Sequence, residues 1–267
     1  MGFTLIELLI VIGILGILAA GVVVAINPLA KINSANLAKT KTFAASVENS
    51  LAISQVGKWS FEEQTGTIAS DTSGYGNNGT LNNSSMWKSA ADPACKDLGF
   101  GGCLSFNGTQ FVTIPKNVLG NSNAFTASAW AYLTGSGSWN TIVGEGCQGF
   151  DLTISSQQVR FGRNCGGGSP FYNGPTISLN RWYHTVIAYD GSSIKLYVDG
   201  KLYNGGSVTY DRANVASMNI GSYSSTGAEF FNGFIDEVSI YSQALLSSQI
   251  KQLYVQGLAK HQLVYNK

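Results

Sequence analysis

An apolar stretch at the amino terminus constrains this chain more than any other feature. After Gly2-Phe3-Thr4-Leu5-Ile6-Glu7 the sequence runs from Leu8 to Ile26 without a formal charge. About 20 apolar residues suffice for an α-helix to cross a bilayer, so the run is long enough to span one. Glu7 is the odd residue in it. A carboxylate in hydrocarbon costs about 2.5–3.5 kcal/mol on insertion scales, so this one needs a partner. A secretory signal would have a shorter apolar core with a small-residue cleavage site behind it. A plain anchor would have no use for the acid.

The helical pattern outlasts the apolar run. Asn27-Pro28 removes a backbone donor and predicts a kink. Beyond it Phe43, Val47 and Leu51 recur every four residues, with Lys39, Lys41, Asn49 and Ser50 on other faces. The periodicity predicts one long helix from about Thr4 to Ser54, bent near Pro28 and stopped by Val56-Gly57. Its first half suits a membrane or a filament core, and its second half an amphipathic seat under a globular head.

The Gly2-to-Glu7 segment and the Leu-Leu-Ile-Val-Ile that follows resemble the class III signal of type IV pilins and type II secretion pseudopilins. The resemblance implies cleavage by a prepilin peptidase after Gly2 and methylation of the amine of the new terminal residue, Phe3. It gives Glu7 its partner, the terminal amine of a neighbouring subunit in a growing filament. It implies an inner (cytoplasmic) membrane precursor that becomes an extracellular surface filament. The family carries a short basic leader; here Met1 precedes Gly2 and the first cation is Lys31, a departure that bears on cleavage of this polypeptide.

From Lys58 to about Tyr241 the texture changes to short alternating runs punctuated by Gly, Asn, Asp and Ser. The chain of 267 residues holds 32 glycines but 5 prolines, the profile of many tight turns between strands. Phe125 to Leu133 alternates, with small residues on one face and Trp130 and Tyr132 on the other. Trp182 to Tyr189, Ile194 to Val198 and Gly233 to Tyr241 read as strands, with turns at Asp190-Gly191 and Asp199-Gly200. Leu245 to Val255 reads as a short closing helix stopped by Gly257. The fold class is therefore α+β: a long kinked N-terminal helix over 1–56, an antiparallel β-sandwich over 57–257, which the resemblance given below makes a jelly roll with a short C-terminal helix, and a tail over 258–267. A net charge of +1 predicts no steering toward nucleic acid.

Four cysteines in an exported chain suggest disulfides, and three pairings are possible. Cys147 and Cys165 lie symmetrically about Ser156 and bracket two strand-like runs, Phe150 to Ile154 and Val159 to Gly162. A hairpin centred there sets them opposite each other. Cys95 and Cys103 would then close the glycine-rich loop between them. No Cys-x-x-Cys and no nearby histidine supports zinc instead.

A set of short motifs resembles the LamG-like, concanavalin A-like jelly roll. They are Trp59-Ser60-Phe61, Asp71 to Gly74 with Asn78-Gly79-Thr80, Leu104 to Gly108, Arg181 to His184, Tyr189-Asp190-Gly191, Leu196 to Gly200 and Asn232 to Val238. The resemblance covers roughly Gly57 to Gly257 and implies a carbohydrate- or protein-binding head. It also implies a structural calcium ion near the Asp71–Gly79 loop, held by Asp71 and Asn78 with Asp236 completing the shell; the bland alternative is a turn held by Asp71 bonding its own backbone. Trp139, Phe171, Tyr172 and Tyr223 sit in loop-like stretches and are candidates to stack on sugar rings.

The sequence argues against catalysis. Glycoside hydrolysis needs two carboxylates flanking one bond. Asp236-Glu237 and Glu62-Glu63 are adjacent pairs that point to opposite faces of a strand, and Glu145 is isolated by sequence. His184 shares a face with Trp182, Val186 and Ala188, the setting of a hydrogen-bonded core histidine. The expected function is a structural or adhesive subunit of a type IV pilus-like filament. A head this large beside its stem points to a minor or tip subunit. The alternatives are a pseudopilin of a secretion or DNA-uptake machine and a membrane-anchored lectin that never polymerises.

Overall fold

A computed structural model describes residues 49, 51–96, 101–115, 117–135, 137, 139–146, 149–162, 172–208, 215, 217–223 and 229–262, without the side chains of 96 and 259–262. Gly2, Phe3, Glu7, Phe171, Cys147, Cys165 and nearly all of the expected stem helix lie outside the described residues. Among the described residues no helix is long and apolar enough to cross a membrane.

The alternating runs form two 8-stranded antiparallel sheets among the described residues. The first runs β14 (Lys201–Ser207), β13 (Ser193–Val198), β12 (Trp182–Tyr189), β7 (Phe125–Leu133), β16 (Asn232–Tyr241), β5 (Gly102–Asn107) and β4 (Trp87–Ser89), with β1 (Gln55–Trp59) also on β16. The second runs β11 (Tyr172–Thr176), β10 (Gln158–Gly162), β9 (Asp151–Ser155), β8 (Asn140–Gly144), β15 (Met218–Ile220), β6 (Val112–Ile114), β3 (Gly79–Leu81) and β2 (Ile68–Ala69). A bulge explains how one edge of β16 serves two partners. Register shifts between Asp236 and Ser239, where Glu237 takes a positive φ of 47°, so residues 232–235 bond β5 and residues 238–241 bond β1.

The core lies between the sheets. Ala127, Ala129 and Ala131 of β7 face it, as do Leu152 and Ile154 of β9 and Val159 and Phe161 of β10. The small face of β7 is thus the inner one. Rings fill the space its alanines leave: Phe125 and Phe150 stack with centroids 4.6 Å apart. Burial of this many fully covered Phe, Leu, Ile and Val side chains, at about 1.5–3 kcal/mol each, is the main force joining the sheets.

Two expected stops fall inside elements. Residues 51–54 are helical, but Val56 and Gly57 belong to β1, so Gly57 does not end a helix. A Cβ on Gly57 would lie 2.4 Å from the ring of Trp59, so the glycine is there to admit that ring. The closing helix, α2 (Ser247–Gln262), runs through Gly257 and into the first half of the expected tail. A Cβ on Gly257 would lie 2.6 Å from the Trp130 ring; the helix needs that glycine to lie close against β7. The earlier short helix, α1 (Pro93–Lys96), carries Cys95, which is bonded to Cys103 of β5.

Candidate functional site

The outer faces of the two sheets differ in chemistry. On the first, Trp130, Trp182, Cys95 and Cys103 form a separate apolar cluster, with Tyr132, Phe234, Tyr254 and Leu258 packed against it. His184 belongs to this layer rather than to the inter-sheet core. It is buried, its Nε2 lies 2.8 Å from the Ser128 hydroxyl, and the rings of Trp130 and Tyr254 lie 5.2 and 6.1 Å away. Burial pulls its pKa down to about 3, so it is neutral. Its Nδ1 has no hydrogen-bond partner, so no acid orients the imidazole, and Ser128 is itself covered. A buried Ser–His pair without that third group does not make a nucleophile.

The outer face of the second sheet is polar, and its middle, at Thr141, Asp151, Thr153 and Asn219, is buried. Strand alternation sends Asp151, Thr153 and Ser155 of β9, and Gln158 and Arg160 of β10, away from the core. Cross-strand register then builds two rows. One joins Asn173, Arg160, Thr153 and Thr141. The other joins Gly162, Asp151, Gly144, Asn219 and Thr113. Asp151 is 1 % exposed. Burial, followed by the neighbouring charge of Glu229, pushes its carboxyl well above the usual range, and the Thr141 hydroxyl pulls it part of the way back. That hydroxyl carries one hydrogen and lies 3.4 Å from Glu229 Oε2. Given to Glu229, it leaves both oxygens of Asp151 without a donor.

Trp139 was one of the expected ligand contacts. It is half-buried at the entry to β8, and the Arg160 guanidinium lies 5.8 Å from its ring centroid. A flat ring beside a fork of N–H donors can stack on a sugar face and bond its hydroxyls. Tyr172 instead ties the sheets together: its hydroxyl donates to the Ser207 carbonyl at 2.7 Å and its ring stacks on Phe161 at 6.3 Å. Tyr223 is buried, so it offers no open ring. Sequence reasoning passed over Asp151, Thr153, Asn219, Glu229 and Arg160. For Asp151, Thr153 and Arg160 the signal was a polar side chain alternating with inward Leu152, Ile154, Val159 and Phe161; Glu229 lies on no strand and gave no such signal.

The Asp71 loop holds itself. Asp71 Oδ1 accepts the backbone N–H of Lys58 and of Ser73, each at 2.9 Å, and Oδ2 accepts that of Asn77 at 2.8 Å. Asn78 Oδ1 accepts the N–H of Asp71 at 2.9 Å. Burial works to raise the Asp71 pKa, but the Ser73 hydroxyl and the three backbone donors outweigh it and leave the carboxyl below its usual range. A cation at these oxygens would face amide hydrogens, so the donor set suits a held turn better than a metal shell. Asp236 is buried on β16 opposite Trp130, and its Oδ1 accepts the N–H of Glu237 at 2.7 Å. Among the described residues no three His, Cys, Asp or Glu side chains gather to hold a metal.

Two sheets face to face, one roofed by the last helix and one with a polar outer face, define a lectin-type sandwich. The chain belongs to the concanavalin A-like lectin/glucanases superfamily, which matches residues 106–251. Residues 2–23 match the prokaryotic N-terminal methylation motif. Among solved structures, domain 4 of AbnA, an extracellular arabinanase from Geobacillus stearothermophilus in complex with arabinotriose, is 21% identical with a TM-score of 0.54, over 75% of this chain and 98% of that one. Trypanosoma rangeli sialidase in complex with sialic acid is 20% identical with a TM-score of 0.59, over 76% of this chain but 33% of that one. The binding domain of Paraclostridial Mosquitocidal Protein 1 is 18% identical with a TM-score of 0.59, over 76% of this chain and 52% of that one. At these identities the likeness is one of fold. Among curated proteins none matches the chain.

Proposed function

We propose that this chain is a subunit of a type IV pilus-like filament whose β-sandwich head binds carbohydrate or a protein surface without catalysing a reaction. The observation that carries the reading is the joining of an N-terminal methylation motif at residues 2–23 to a lectin-type sandwich at 106–251 in one polypeptide. The first half implies a membrane-held precursor, a prepilin peptidase acting after Gly2, methylation of Phe3, and lateral partners that are other pilin subunits. The second half supplies a head with a polar outer sheet face, where Trp139 and Arg160 are the contacts we assign to a ligand. The arabinanase domain, which the chain spans almost completely, has been seen with arabinotriose; that supports a glycan as the ligand class here.

Glu7→Ala tests the filament half. In cells that assemble pili, the variant should reach the membrane at wild-type levels and be missing from sheared filaments. Filaments that still contain it would leave a membrane-anchored lectin as the better description. Filament capture on a glycan array tests the head. A head that binds no glycan but co-purifies with secretion machinery would favour the pseudopilin.

A further inference from the structure

Asparagine followed by glycine is a chemically labile pair. The glycine nitrogen can attack the asparagine side-chain amide, and no Cβ on the attacking residue obstructs it. Such pairs begin at Asn78, Asn107, Asn173, Asn204 and Asn232. Their amides are engaged differently. Asn78 Oδ1 accepts the N–H of Asp71 at 2.9 Å. Asn107 Oδ1 accepts the N–H and the hydroxyl of Thr109 at 3.2 and 2.8 Å, and Asn232 Oδ1 accepts the Thr134 hydroxyl at 3.1 Å. Each of these oxygens is held by a residue other than the glycine. Asn204 differs: its Oδ1 accepts the N–H of Gly205 itself at 2.8 Å. The nucleophile is thus held on an atom one bond away from the carbon it would attack, which is how proximity lowers a barrier.

The surroundings favour the same step. Asn204 lies on β14, the edge strand of the first sheet. Register shifts between Leu196 and Tyr197, so Tyr203 is left out of the pairing beside it. A strand with one neighbour and a bulge resists backbone rotation less than a central strand does. Gly205 is exposed, so water reaches it. A Cβ on Gly205 would lie 2.5 Å from the Ile194 carbonyl oxygen, so the position admits glycine and the nitrogen stays unshielded. The other end of the amide is fixed as well: Asn204 Nδ2 donates to the Asn173 carbonyl at 2.8 Å.

We propose that Asn204-Gly205 is a self-modification site, at which the head converts its own asparagine to isoaspartate and aspartate and so loosens the join between its two sheets. The Gly205 N–H gives its proton to hydroxide, the nitrogen bonds to Asn204 Cγ, and the Cγ–Nδ2 bond breaks with ammonia as the leaving group. Water then opens the cyclic imide. Attack at Cγ gives aspartate, and attack at the main-chain carbonyl gives isoaspartate, with the chain now running through Cγ. Nothing is oxidised or reduced, and water is the one co-reactant. The product matters because of what the amide holds. β14 and β11 belong to different sheets, and their edges are tied by Asn204 Nδ2 to the Asn173 carbonyl and by the Tyr172 hydroxyl to the Ser207 carbonyl at 2.7 Å. A carboxylate has no hydrogen to give to the Asn173 carbonyl, so the first tie is lost. Isoaspartate also adds a carbon to the strand backbone. The inference rests on neither filament assembly nor glycan binding.

The test holds the full chain, purified in detergent, at mildly alkaline pH, once folded and once unfolded in urea. Peptide mass spectrometry then follows each asparagine, and labelling by an isoaspartyl-specific methyltransferase identifies the isomer. The unfolded chain sets the reference rate for every pair. Folding should slow conversion at Asn78, Asn107 and Asn232 by about tenfold or more, and leave Asn204 within about threefold of its unfolded rate or above it. Asn204→Gln keeps an amide, but its closure needs a six-membered ring, so this peptide should stay unmodified. Asn204→Asp reproduces one product. It should fold, melt about 2–4 °C lower and exchange amide hydrogens faster in β11. Folding that protects Asn204 as strongly as the other three asparagines would overturn the proposal. So would an Asn204→Asp head whose Tm and β11 exchange match wild type.

Discussion

His184 was expected to be a hydrogen-bonded core histidine; its Nε2 meets the Ser128 hydroxyl, but its Nδ1 has no partner and the ring is buried in the outer layer under Trp130 and Tyr254. Its effect on stability follows from its neutrality. The folded pKa lies near 3, and the unfolded value is about 6.5. Below pH 6.5 the unfolded chain takes a proton that the folded chain refuses, so stability falls as pH drops from about 6.5 toward 3. The slope contributed by one such group approaches about 1.4 kcal/mol per pH unit. Other groups titrate in the same range, so the comparison must be with a variant. His184→Gln retains a hydrogen-bonding partner for Ser128 and cannot be protonated. Its Tm at pH 7 should be close to or slightly below wild type, and the gap should close or invert by pH 4.5. Parallel Tm curves for the two proteins across that range would show that His184 is not buried neutral.

At the scale of elements, turn chemistry was legible where a residue must enter the left-handed region. Asp199-Gly200 has φ of 50° and 71°, and Ser156-Gln157 has φ of 51° and 59°, so both hairpins fall where the sequence placed them. The Cys95–Cys103 bridge followed from spacing as well. Gly57 and Gly257 were misread because a glycine beside a helix end looks like a stop, whereas these two exist to admit the rings of Trp59 and Trp130. No local signal distinguishes a glycine that ends a helix from one that makes room for a distant ring. This gives the closing helix a sharp test. Helix propensity alone favours replacing Gly257 by about 1 kcal/mol. The Trp130 ring, held by His184 and Tyr254, cannot retreat far, and overpacking costs about 1–3 kcal/mol. Gly257→Leu should therefore lower the Tm and expose Trp130, seen as a red shift of tryptophan emission. A stabilised Gly257→Leu would mean that the helix does not press on β7.

For the whole molecule, period-2 alternation announced a sandwich because inward Leu, Ile, Val and Phe are cheap to recognise. It could not announce the buried polar face. Outward Asp151, Thr153 and Arg160 look like ordinary solvent-facing residues until register aligns strands from distant parts of the chain. The same blindness put Tyr172 and Tyr223 beside Trp139 as equal ligand candidates, although the first ties the sheets together and the second is buried. That difference separates display from assembly. Trp139 and Arg160 lie on the sandwich, far in sequence from Glu7, so the two activities should fail independently. Trp139→Ala removes the flat surface on which a sugar ring would rest, and losses at such aromatic contacts run at about 2 kcal/mol or more, some 30-fold in Kd. Filaments carrying Trp139→Ala should form in normal number and length and lose most of their capture on whichever glycan retains the wild type. Arg160→Gln should weaken the same capture, since it withdraws the N–H donors set beside the ring. Undiminished capture by both variants would move the ligand contact off this sheet face, while Glu7→Ala would still have to abolish filaments for the assembly reading to stand.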